Sequence, residues 1–94
     1  MKILLTEHAK ERLKEREIDF KEVGTVINCP KRAFYDLRSG HFVVVGKRKI
    51  PGHWLIVAYD KREDEIEVIT VIDTSKSLDR IIERRLSSRR WVEV

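Results

Sequence analysis

Three polar side chains near the start of the chain have the types and the spacing for phosphate chemistry: His8, Arg12 and Arg16, each four residues from the next. On a helix they would fall within about 80° of one another and share one flank. Two guanidinium groups one turn apart can grip a phosphodiester through charge-assisted hydrogen bonds. An imidazole beside them, with a reference pKa near ~6.5, can move a proton at neutral pH. Together they would support RNA cleavage without a metal. In that reaction the 2′-hydroxyl attacks phosphorus, a base takes its proton, and cations stabilise the developing charge. The plainer reading is architectural. Arg12 and Arg16 would bond a carboxylate such as Asp36 or Asp73, or helix-end carbonyls, and His8 would cap a turn.

A second cationic group lies near the other end. From Lys76 to Arg90 six basic residues stand against Asp79 and Glu83, a local excess of four that equals the net charge of the whole chain. The anion-seeking surface is therefore concentrated there. Arg80, Arg84, Arg85, Arg89 and Arg90 are the candidate nucleic-acid contacts, each adding to a salt-dependent affinity. Trp91 follows in a polar stretch and is expected to be exposed, free to stack on a base. The bland alternative is a solvated helix face, and an acidic protein partner would suit the same surface.

The elements that must position these residues are legible from periodicity and caps. Thr6 caps a helix from about Glu7 to Glu15, with Leu5, Ala9 and Leu13 on its apolar side. Asp19 opens a second helix, with Glu22 three residues on as a capping box and Ile18 and Val23 placed as a staple; Pro30 ends it. Four strands follow, at 32–37, 41–47, 54–60 and 65–73, separated by short turns. In the last of them Ile66, Val68, Thr70 and Ile72 should share one face, with Ile69 and Val71 on the other. Ser77 caps a third helix whose stripe is Leu78, Ile81, Ile82 and Leu86, and residues 89–94 read as a tail. The order α-α-β-β-β-β-α predicts an α+β domain: two N-terminal helices on one face of a four-stranded, mostly antiparallel sheet, plus a C-terminal helix.

Other reactive residues read more quietly. Tyr59 shares a strand side with Leu55 and Val57 and is expected in the core; Trp54 is expected at its rim. His41 and His53 each follow a glycine at the start of a strand and read as turn histidines that approach each other if their strands pair. Cys29 with three scattered histidines lacks the spacing of a zinc site, and no glycine-rich loop is present, so no metal and no cofactor is expected.

The 94 residues suit one domain over 1–94, of which 77–94 form the basic helix and tail. A single cysteine allows no internal disulfide, and no apolar run approaches a membrane span, so a cytoplasmic protein is expected. The absence of Gln, the single Asn28 and the many charges fit a thermophilic source.

The segment from Thr6 to Ile18 resembles the opening of an uncharacterised family of small domains. Its pattern is the His8-Ala9 pair, Arg12 four residues after the histidine, Arg16 four later, and the Ile18-Asp19 entry to a second helix. The resemblance continues through Val23, Val26, Ile27 and Pro30, and resumes at Leu55–Tyr59 and Val68–Val71. It covers roughly three-quarters of the chain, up to about Asp73. That family is grouped by fold with the RelE/ParE-like toxins and, more loosely, with barnase-like and colicin-like ribonucleases. The resemblance implies a toxin-like endoribonuclease with His8, Arg12 and Arg16 as its matching polar positions. RNA or another nucleic acid, including that of the ribosome, would be its partner, together with a small acidic antitoxin-like protein or a second copy of the chain. The basic helix after Ser77 lies outside what the resemblance covers. A non-catalytic nucleic-acid-binding module and a toxin-fold protein-interaction domain are the two other classes the sequence supports.

Overall fold

Each of the three helices begins where a side chain can cap it. The computed structural model of the protein describes residues 2–94. Helix α1 (Glu7–Glu15) starts at Thr6, whose hydroxyl accepts the Ala9 N–H at 3.1 Å. Helix α2 (Phe20–Asn28) starts at Asp19, which accepts the Lys21 N–H, while Glu22 reaches back to the Asp19 N–H at 3.2 Å. Helix α3 (Leu78–Ser87) starts at Ser77, which accepts the Arg80 N–H. These side chains satisfy N–H groups that a helix start leaves unpaired.

The strands are β1 (Lys2–Leu5), β2 (Arg32–Asp36), β3 (Phe42–Lys47), β4 (Trp54–Arg62), β5 (Glu65–Thr74) and β6 (Trp91–Glu93). They form one six-stranded sheet in the order β1-β5-β4-β3-β2-β6. The four expected strands are its centre. Two short strands not expected from the sequence extend it on either side. β1 joins β5 in parallel, and β6 joins β2 antiparallel. Leu5, grouped from the sequence with the apolar side of the first helix, ends β1. Residues 89–94, expected as a tail, instead reverse direction at Arg89, whose φ of 58° lies in the left-handed region, and then pair with β2. Arg32 clamps Glu93 with two 2.7 Å bonds, so the last strand is tied by side chains as well as backbone.

The helices do not all lie on one face, because the sheet is apolar on both. Successive side chains of a strand point to opposite sides. Val44, Leu55 and Val57 pack with Ala9, Leu13, Val23, Val26 and Ile27 beneath α1 and α2. Val43, Val45 and Ile56 pack with Phe34, Leu78, Ile82 and Trp91 beneath α3. The result is three layers, helix–sheet–helix. Gly46 sets the spacing of the first two: a Cβ there would stand 2.9 Å from Cγ2 of Val26.

One irregularity shapes everything that follows. The β4–β5 register pairs Ala58 with Thr70 but Tyr59 with Val68, so Ile69 is an extra residue in β5. This bulge reverses the alternation beyond it. Ile66, Val68 and Val71 therefore share the α1/α2 core, while Thr70 and Ile72 turn to the α3 side. The expected common face of Ile66, Val68, Thr70 and Ile72 is corrected on that account. The bulge is also where α1 is attached. Thr6 donates its N–H to the Val68 carbonyl and its hydroxyl to the Ile69 carbonyl, both at 3.1 Å.

Candidate functional site

Beneath the end of α3 the sheet is left partly uncovered, and a cleft of about 250 Å³ opens there. Its floor is a lateral row across three strands, Val43, Ala58 and Thr70, with Ile56 and Ile72 beside it. Its lip is the next row out, Asp36, His41 and Asp60, at the ends of β2 and β3 and in β4. Its wall is Arg85, Arg90 and Trp91. A second cavity of about 520 Å³, lined in part by Thr74, Lys76, Arg84 and Arg85, adjoins it and shares Ile56, Ile72, Arg85 and Trp91. The two make one groove with an apolar floor and a cationic wall. Ile72, 46% exposed, is the bare part of that floor.

His8 comes to the edge of this cleft, from the far side of the sheet, and touches one residue of its floor without lining it. β1 ends at Leu5, so the edge of β5 beyond Val68 has no neighbouring strand. The first turn of α1, anchored at the bulge by Thr6, brings the His8 ring over that edge. Its Nε2 lies 3.2 Å from Thr70 Oγ1. His8 is exposed, and the hydroxyl it touches belongs to the cleft floor. The expected companions of His8 have no such contact with the cleft floor. Arg12 is half-buried along α1 and Arg16 caps the helix C-terminus with its backbone N–H; neither lines the cleft. Among the described residues neither side chain has a carboxylate partner. The two acids considered for them are taken elsewhere: Asp36 by Arg90 at 3.2 Å and Asp73 by Arg48 at 3.4 Å.

The C-terminal cations divide into two groups. Arg80, Arg84 and Arg89 are exposed on α3 and its end, with Arg84 at the second cavity. Arg85 and Arg90 are half-buried and line the cleft. Arg90 is tied to Asp36, whose carboxyl burial pushes up; the N–H groups of Ser39 and Arg38 and the Arg90 guanidinium outweigh this and hold it below its ordinary value. Arg85 faces the Trp91 ring at 6.0 Å and has no carboxylate partner among the described residues. Trp91 is a correction. It is 6% exposed, stacked on Phe34 with centroids 4.9 Å apart, because β6 folds it under α3. It shapes the cleft wall and presents no open ring face for a base.

His41 was undervalued as a turn residue. The turn before it is built by Asp36, whose Oδ1 accepts the N–H groups of Arg38 and Ser39, and by Gly40 with φ 77°. This turn delivers His41 onto the cleft side of β3, opposite Asp60. Its Nδ1 stands 2.5 Å from Asp60 Oδ1, and the residue lines the cleft. His53 does not approach it, since the two histidines sit at opposite ends of the β3–β4 ladder. It pairs instead with Asp73 at 2.9 Å. The only hint of this in the sequence is that the hairpin register sets each histidine beside a different strand end.

The far end of the ladder holds the most buried charges. Arg48, 8% exposed, bonds Glu22 and the Glu17 carbonyl and faces Asp73. Burial pushes the Glu22 carboxyl up, but Arg48 and the N–H groups of Lys49 and Asp19 outweigh it and hold it below its usual value. Tyr59 behaves as expected: it packs on the α1/α2 core, and burial raises its hydroxyl. Trp54 sits at the rim of the α3 core with the Lys31 ammonium 4.6 Å from its ring centre. Among the described residues no group of three or more His, Cys, Asp or Glu is placed to hold a metal ion, and no helix is long and apolar enough to cross a membrane.

The model of a family described as a domain of unknown function (DUF4258) matches residues 5–73, and the chain belongs to that family. The matched region ends where the sequence resemblance ends, before α3 and β6. No curated protein and no solved structure matches the chain.

Proposed function

We propose that this DUF4258 member binds RNA and cleaves its phosphodiester backbone in the cleft between α3 and the sheet, without a metal. The observation that carries the reading is the contact of His8 with Thr70. It sets an exposed imidazole at the β5 edge of a cleft whose opposite wall holds a guanidinium with no carboxylate partner among the described residues, Arg85. With the lone pair on Nε2 the ring accepts from the Thr70 hydroxyl, and the substrate's 2′-hydroxyl would take the place of Thr70 there to give up its proton. Arg85 supplies positive charge where the phosphate oxygens would gain negative charge. Arg80, Arg84 and Arg89, exposed on α3 and its end, add positive charge beside the cleft and would hold the backbone next to the scissile bond. Arg12 and Arg16 lie on α1, across the sheet, and would meet only a strand that passes the β5 edge. The fold grouping of the family that the α1 segment resembles with the RelE/ParE-like toxins and, more loosely, barnase-like and colicin-like ribonucleases is in keeping with this reading. It also suggests a small acidic protein as the natural inhibitor of the cationic face.

The test is incubation of labelled RNA with the protein in EDTA. Discrete cutting is expected. His8→Ala should lower the rate by about 100-fold or more while leaving RNA affinity within about threefold. Equal cutting by wild type and His8→Ala would remove His8 from the chemistry. A second reading, binding without turnover, is favoured by the exposed arginines of α3. It predicts no cutting and an affinity that falls steeply with salt.

A further inference from the structure

The cleft has a second imidazole, and its surroundings are those of a proton-transfer group. We propose that His41, held by Asp60, is the general acid that protonates the leaving oxygen. This rests on the reading of the cleft as an RNA-cleaving site.

Asp60 accepts from Nδ1, so Nε2 is the ring nitrogen left to face the cleft that His41 lines. A carboxylate behind an imidazole fixes its tautomer and orientation and stabilises its positive form. No other residue competes for Asp60 among the described contacts, so that carboxylate serves this ring alone.

Position supports the same role. Thr70, which touches His8, is on β5 and His41 stands just before β3, two strand spacings across and two residues along, about 12 Å apart at the backbone. Asp60 lies on β4 between them and draws the His41 ring inward. His41 lines the cleft on the β3 side and His8 stands at its β5 edge on Thr70, so a backbone lying over Ala58 would have an imidazole on each flank, as a base and an acid acting on one phosphorus require. Arg85 looks onto that space from the α3 side.

The step balances within the substrate and these groups. The 2′-oxygen forms a bond to phosphorus as His8 takes its proton. The bond from phosphorus to the 5′-oxygen breaks as His41 gives that oxygen a proton. The products are a 2′,3′-cyclic phosphate and a free 5′-hydroxyl, with no oxidation, no reduction and no water consumed.

The experiment compares two substrates. In a short RNA the leaving group is an alkoxide that needs a proton. In a ribonucleoside 3′-(4-nitrophenyl) phosphate the leaving group departs as a stable anion. His41→Ala is expected to lose about 100-fold or more on RNA and less than about 10-fold on the nitrophenyl ester. His8→Ala should lose heavily on both. Asp60→Asn keeps the ring but loses its anchor, and should show a smaller loss with the same substrate bias. This variant carries the test if His41→Ala does not fold. Two results would overturn the assignment while leaving the cleft reading intact: RNA cutting by both variants at the wild-type rate, or equal losses on both substrates. A wild-type protein that cuts neither substrate would overturn the cleft reading and this assignment together.

Discussion

The two ends of the β3–β4 ladder carry the same pair of side chains and put them to opposite use. At one end His53 meets Asp73, and at the other His41 meets Asp60. Asp73 is also within reach of Arg48, which in turn bonds Glu22 and the Glu17 carbonyl. That end is a closed network in which α2, β5 and the β3–β4 turn are held to one another. Asp60 serves His41 alone, and His41 looks into a cleft. What separates structure from chemistry here is therefore not the residue pair but the company it keeps. A histidine whose carboxylate is shared with a buried guanidinium is part of a joint. One whose carboxylate is its own, beside an opening, is available to a ligand.

The largest effect should come from breaking the joint. Arg48→Ala leaves Glu22 buried without its cation, and losing one partner of a buried pair costs about 3–5 kcal/mol. Urea unfolding should show this as a lower midpoint. A loss below about 1 kcal/mol would mean that water enters and replaces the arginine. The next effect is a dependence on acid. The Glu22 and Asp36 carboxyls both lie below their ordinary values in the folded protein. A group depressed on folding adds stability above its unfolded pKa and loses it as pH falls through the folded one. Stability should thus be level above about pH 5 and decline once pH drops below about 4, where the unfolded chain binds more protons. Glu22→Gln should shrink that decline, and an unchanged slope would place the acid sensitivity elsewhere. The smallest effect is expected at the open end. Asp60→Asn removes a half-exposed pair, and its unfolding free energy should stay within about 1 kcal/mol of wild type. A loss as large as that of Arg48→Ala would make the two ends alike and dissolve the contrast.

Much of this architecture was legible in the sequence because it is written in local chemistry. Thr6, the Asp19–Glu22 box and Ser77 mark helix starts by side-chain hydrogen bonds that span two or three residues. The central strands announce themselves by β-branched runs between turns. β1 and β6 escaped because four and three residues carry too little periodicity, and their pairing depends on partners about 60 residues away. The bulge at Ile69 escaped for a related reason. An inserted residue has no composition of its own, yet it moved Thr70 and Ile72 to the other face and so created the cleft floor. His8 was found as a candidate from helical spacing. Thr70 and Arg85 were noted without being connected to it, because only the folded sheet edge brings the three to one opening. Trp91 was misplaced in the opposite sense: a polar neighbourhood suggested exposure, while β6 pairing buried it.

The attachment of α1 at the bulge also governs the order in which the molecule can be assembled. Thr6 bonds Ile69 across 63 residues, and Ile3 pairs with Ile66. During synthesis α1 emerges with its apolar stripe facing nothing, and the strand that anchors it arrives only after roughly two-thirds of the chain. A contact so distant in sequence carries a high loop-closure cost and forms slowly. The catalytic geometry proposed for His8 depends on that late contact, so the cleft is completed only when the first strand has found the fifth. A chain interrupted before β5 would carry both imidazoles and no working site.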